Sequence, residues 1–199
     1  MRIRSLMVGL VLAAFAGVAH AQPVHFDLDG SGSSIDYNPQ TGGCGSFFNP
    51  QPCISADLAG GLGATAFTLN AVGDSHTFDF AEVLFDDALG GEEGEFDATV
   101  AFDSPAGAAA STTGDGQVIN LFGLLQLGSL VWLPIADIVM PNGIAFGLEL
   151  QELAGINLGT TVTVGATVTL LAMAVPSPVP LGMMGLGLLA LGVVRHRRA

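Results

Sequence analysis

The sequence predicts an all-β protein, an antiparallel β-sandwich or jelly roll, set between two apolar end segments. Three observations predict it. Residues 22–173 alternate between apolar and polar side chains with period two, the period of a half-buried strand. Clusters of Gly, Pro, Asn and Asp separate the alternating runs, as turns require. Charge is segregated: all five basic residues are Arg2, Arg4, Arg195, Arg197 and Arg198, while all 18 carboxylates lie between Asp27 and Glu152. A chain of 199 residues suffices for one domain with a sizeable core.

The N-terminus comes first. Met1-Arg2-Ile3-Arg4 is a basic start, Leu6 to Val18 is apolar, and Ala19-His20-Ala21 follows. A basic region, a short apolar run and an Ala-x-Ala site together make a secretory signal peptide. The run is too short for an ordinary transmembrane helix. Residues 1–21 are therefore expected to be cut away after Ala21, with Ala19 and Ala21 read by the peptidase and Gln22 left as the first mature residue.

The body, 22–173, reads as about seven to nine short strands. Val24 to Asp29 is the first, closed by a Gly/Ser turn. Phe67 and Leu69 flank Thr68, and Phe78 and Phe80 flank Asp79. Phe96, Ala98, Val100 and Phe102 alternate with Glu95, Asp97 and Thr99, and Ala106 to Thr113, small and low in complexity, reads as a loop. Val118 to Ile135 is nearly all apolar, but Asn120, Gln126 and Pro134 argue for two core strands, one ending at Trp132-Leu133-Pro134, over a membrane span. Ile144 to Leu150 and Val162 to Leu170 complete the set, the latter with a Thr-rich second face. Turn signals stand at Gly60-Gly61, Gly73-Asp74, Gly90-Gly91, Thr113-Gly114-Asp115-Gly116 and Pro141-Asn142-Gly143.

Charge bounds what this body does. With no Lys and no Arg between residues 22 and 173, it lacks the cations that displace counterions from phosphate, so nucleic acid is not a partner. Its carboxylates have no ion-pair partner and are solvated, hydrogen-bonded or bound to a cation. Cys44 and Cys53 are the only cysteines. An even pair across a turn-rich stretch of an exported chain is expected to form a disulfide.

Asp27-Leu28-Asp29-Gly30-Ser31-Gly32 has two readings. The simpler is a strand ending in a turn. The other is the opening of a calcium loop, with oxygen ligands from Asp27, Asp29, Ser31 and Asp36. Asn38 stands where such a loop needs a bidentate Glu. Calcium is the one cofactor the sequence suggests. A second acidic group, Asp86, Asp87, Glu92, Glu93 and Glu95, straddles Gly90-Gly91 and reads as a solvated loop. Asp74-Ser75-His76 holds triad residue types, but neighbours on a strand point to opposite faces, and no catalytic residue is assigned.

The C-terminal element, 174–199, has three parts. Val175-Pro176-Ser177-Pro178 begins an extended, accessible proline segment. Residues 179–194 carry no charge and, at about 1.5 Å per residue, make a helix of roughly 24 Å, slightly under the hydrocarbon thickness. Arg195, Arg197 and Arg198 then stay on the cytoplasmic side. Proline motif, Gly/Leu-rich helix and terminal Arg cluster in this order resemble the PEP-CTERM sorting signal. Ser177 stands where that family usually has Glu. The resemblance implies a substrate of exosortase, a membrane transpeptidase-like enzyme of exopolysaccharide-producing Gram-negative bacteria. It implies secretion, transient anchoring in the inner membrane by a transmembrane sorting helix, and cleavage near the proline motif. The body then rests at the cell surface or in the matrix. The function expected is that of a non-catalytic surface or matrix protein of biofilm or floc, with exopolysaccharide as a possible companion. The alternatives are a calcium-dependent glycan-binding module and a small secreted hydrolase.

Overall fold

Alternation of apolar and polar residues becomes strand along nearly the whole body. A computed structural model describes residues 22–46, 49–121 and 125–174. The expected signal peptide with Ala19 and Ala21, and the sorting residues Val175, Pro176, Ser177, Pro178, Arg195, Arg197 and Arg198, lie outside the described residues. Among those described are thirteen strands: β1 (Val24–Leu28), β2 (Ser34–Ser46), β3 (Asn49–Gln51), β4 (Ile54–Leu58), β5 (Ala66–Leu69), β6 (Ser75–Phe85), β7 (Gly90–Ser104), β8 (Ala108–Leu121), β9 (Leu125–Trp132), β10 (Ile138–Val139), β11 (Ala145–Leu150), β12 (Leu153–Ile156) and β13 (Thr160–Ala172). A single 3-10 turn, Leu62–Ala64, precedes β5.

The strands form two curled antiparallel sheets. The first runs β12-β9-β8-β7-β1-β5, with β2 also beside β7 and β3 beside β2; the second runs β10-β11-β13-β6-β4. β7 organises the first sheet. Its residues Gly90 to Thr99 pair with β2, and its far end pairs with β1 through Phe102 and Ser104. β1 and β2 thus lie end to end along one edge of β7, joined by the turn Asp29–Ser33. That turn is held in line by Asp29 N–H donating to Ala101 O at 3.0 Å and Ala101 N–H donating to Ser33 Oγ at 3.0 Å.

The core lies where the two sheets face each other. Phe26, Phe96, Val100 and Leu130 of the first sheet and Phe80, Val83, Phe146 and Leu170 of the second are buried almost completely. Each such side chain contributes about 1.5–3 kcal/mol through apolar area removed from water. Ring contacts join the sheets: Phe26 meets Phe146 edge-on at 5.1 Å, and Phe102 meets Phe146 at 5.4 Å. Such edge-to-face pairs add a directional term to the burial.

Three details differ from the sequence reading. The strands number more than seven to nine in part because short segments, β3, β10 and β12, add pairing that alternation over two to four residues does not reveal. Ala106 to Thr113 is not a loop: only Pro105 to Gly107 turn, and β8 begins at Ala108. The long partner strand β7 supplies its hydrogen bonds whatever the side-chain size. Gly90-Gly91 and Gly114-Asp115-Gly116 are strand, not turn. Gly114 and Gly116 make room for rings: a Cβ on Gly114 would lie 2.6 Å from the Trp132 ring, and one on Gly116 would overlap Phe96. Val118 to Ile135 does divide between two strands, and the second ends at Trp132 as expected.

Candidate functional site

The turn between β1 and β2 carries the candidate calcium residues. Asp29 Oδ1 accepts three hydrogen bonds, from Ser31 N–H at 2.8 Å, Ser31 Oγ–H at 2.6 Å and Gly32 N–H at 2.9 Å. The Ser31 hydroxyl first, and then the Gly32 N–H, hold the Asp29 carboxyl below the usual carboxylate range, because each donor favours the charged form. The turn is seated by backbone contact: a Cβ on Gly30 would lie 2.9 Å from Gly63 N in the 3-10 turn. The fold brings Asp29 and Ser31 together. It separates the other two. Asp27 pairs with Ser104 and Asp36 with Asp97 along the same edge of β7, seven residues apart, or roughly 20 Å at strand rise. Among the described residues no group of three or more His, Cys, Asp or Glu is placed to hold one metal ion.

Asp36 belongs instead to an acidic face on the outside of the first sheet. Ile35, Phe96 and Ala98 point inward, so by alternation Asp36, Glu93, Glu95, Asp97 and Asp115 point outward. Register then sets like charges directly opposite: Asp36 faces Asp97, and Glu95 faces Asp115. Opposed like charges on a ladder destabilise it. Amides relieve part of this load, with Asn38 Nδ2–H donating to Asp97 Oδ2 at 3.0 Å and Gln117 Nε2–H donating to Glu93 Oε1 at 2.6 Å.

The cysteines form the expected disulfide, with Cα atoms 5.1 Å apart. Cys44 lies in β2 and Cys53 immediately precedes β4, so the bond ties the first sheet to the second. Beside it lies a group the sequence reading put in a solvated loop. Glu92 is 3% exposed. Its Oε2 accepts from Cys53 N–H at 3.1 Å, while Oε1 and the Tyr37 hydroxyl are buried and, among the described residues, neither has a hydrogen-bond partner of good geometry. Tyr37 packs on Phe96 at 4.8 Å and lies over Gly94, where a Cβ would overlap its phenol. Burial, and then the nearby Glu92 carboxylate, push the Tyr37 phenol well above its ordinary range. Tyr37, Pro39, Pro52 and Ile54 also line a shallow cleft of about 240 Å³ between the facing edges of β2 and β4. The signal for Glu92 was present in the sequence: carrying the Phe96, Ala98, Val100 alternation back by four residues puts position 92 on the inward face.

His76 stacks on Phe67 at 4.2 Å, a contact between β6 and β5. Its neighbour Asp74 uses Oδ2 to accept from the backbone N–H groups of Asn70 and Ala71, each at 2.9 Å. Both residues are thereby engaged in local packing and turn closure. His25, the other His of the body, sits 3.2 Å from Thr68 Oγ1.

No family model, no curated protein and no solved structure matches the chain.

Proposed function

We propose that this chain is an exported, non-catalytic surface or matrix protein. In this reading a β-sandwich body passes through the secretory route. A C-terminal helix holds it transiently in the inner membrane, and an exosortase releases it by acting near Val175-Pro176-Ser177-Pro178. The observation that carries the reading is the order of parts at the C-terminus: proline motif, uncharged run 179–194, then Arg195, Arg197 and Arg198. Two features of the body agree with it. The Cys44–Cys53 disulfide suits an oxidising compartment. An acidic, lysine-free surface suits a soluble component of a hydrated matrix.

The test is a change at the proline motif. Pro176→Ala/Pro178→Ala protein should be exported yet stay in the membrane fraction at full tail length, while the parent chain leaves that fraction shortened. Equal release of both would reject sorting at this motif.

One observation favours a second reading, a calcium-dependent glycan-binding module. The facing carboxylates Asp36/Asp97 and Glu95/Asp115 form a surface whose repulsion a divalent cation would relieve. Titration calorimetry separates the two. A calcium heat at millimolar or tighter affinity, with polysaccharide retention abolished by chelator, supports the second reading. No heat supports the first.

A further inference from the structure

Resting on the export reading, we infer that Gln22 is a modification site: once the chain is cut after Ala21, Gln22 closes on itself to a pyroglutamate. Gln22 and Pro23 are exposed and precede the first strand residue, Val24. Val24 is buried and pairs with Leu69, so the sheet begins two residues after the new chain end, and Gln22 forms no part of it.

The chemistry needs only this residue. The free-base α-amine attacks the side-chain carbonyl carbon Cδ, forming an N–Cδ bond in a five-membered lactam. The Cδ–Nε2 bond breaks, and the proton lost by the attacking nitrogen leaves with Nε2 as ammonia. Nothing is oxidised or reduced. An α-amino group has a pKa of about 7.7–8.0, so an appreciable fraction is nucleophilic near neutral pH. Holding amine and carbonyl in one residue gives the attack a high effective concentration. A competing attack on the Pro23 carbonyl would expel Gln22 and Pro23 as a cyclic dipeptide. That path cuts the Pro23–Val24 peptide, which β1 holds at the sheet through Val24.

Two consequences follow. Arg2 and Arg4 leave with the signal peptide, and Arg195, Arg197 and Arg198 leave with the tail. The α-ammonium is then the one cation of the mature body besides His25 and His76. Ring closure removes it, and the 18 carboxylates face no permanent positive charge. Closure also removes the free ammonium that aminopeptidases grip, so the exported end resists stepwise trimming.

Peptide mass spectrometry on protein taken from outside the cell into dilute acid, which halts further closure, tests this. The expected N-terminal peptide begins at residue 22, is one ammonia lighter than its sequence, and gives no product in stepwise degradation. The Gln22→Ala variant should begin at the same position with a free amine and no mass loss. A Gln22 peptide with a free amine, closure seen only after storage, or a chain beginning at Val24 would overturn the inference and leave the export reading standing. A chain still carrying residues 1–21 would overturn both.

Discussion

Removing the Cys44–Cys53 bond should cost the body more stability than its nine-residue separation suggests at first sight. The bond closes a loop of about ten residues, for which the chain-entropy relation gives about 2.7 kcal/mol at 25 °C. It also joins the two sheets at facing edges, β2 and the start of β4, that share no backbone ladder. Loosening Cys53 weakens its N–H bond to the buried Glu92 carboxylate. An unsatisfied buried acceptor of this kind costs about 1–3 kcal/mol. The double variant Cys44→Ala/Cys53→Ala should therefore lose about 4–6 kcal/mol. With an m-value of about 2 kcal/mol per molar urea for a domain of this size, the midpoint falls by roughly 2–3 M. The assay is urea unfolding followed by fluorescence of the single Trp. Trp132 reports the core because it packs edge-on against Phe96 at 5.8 Å and donates to Gln151 O at 3.1 Å. Thiol reduction of the parent protein should reproduce the shift. A midpoint lowered by less than about 0.5 M with m unchanged would refute both the sheet-joining role and the Glu92 coupling.

Three further outcomes test other parts of the structure. Tyr37 is the only Tyr and its phenol is raised in the fold. The stabilisation from its neutral form is full below the unfolded value of about 10 and is lost as pH rises above that. Tyrosinate absorbance should therefore appear together with loss of Trp132 packing, and a separate earlier Tyr titration would contradict the burial. Gly116→Ala places a methyl against Phe96 and should cost about 1–3 kcal/mol by overpacking. Gly60→Ala, with nothing within 4 Å of the added Cβ, should leave Tm nearly unchanged, so equal effects would reject the ring-pocket role of the strand glycines. Asp115→Asn removes the charge opposite Glu95 and should stabilise by about 0.5 kcal/mol at low salt, from like charges at cross-strand distance in water. That gain should fade in molar salt, and a gain independent of salt would point to another cause.

Much of the fold was legible because one property, period-two burial, dominates it. Phe96 to Phe102 and Val162 to Leu170 alternate cleanly, since each strand has one face on the core and one in water. The disulfide was legible because a chain with only two cysteines, read as bound for an oxidising compartment, offers each cysteine one partner. Glycine misled the reading. Gly114 and Gly116 look like turn residues, yet each lies under an aromatic ring supplied by a neighbouring strand, Trp132 or Phe96. That requirement belongs to pairs of strands and leaves no mark in a single run of sequence. Glu92 was misplaced for a different reason: its charge argued for solvent, while its phase on β7, legible in the alternation of Phe96, Ala98 and Val100, puts it on the inward face beside Cys53. Asp27 and Asp36 look close in sequence, but the straight edge of β7 spreads them apart. The acidic ladder arises only from register, which sets Asp36 against Asp97.

The central claim, that the C-terminal segment is a sorting signal removed on the way to the cell surface, is tested most directly at the other end of the chain. C-terminal peptide mapping of protein recovered outside the cell should find the last residue in the Val175–Pro178 region, with residues 179–199 absent. Recovery of that extracellular protein with Arg195 to Ala199 still attached would contradict the account.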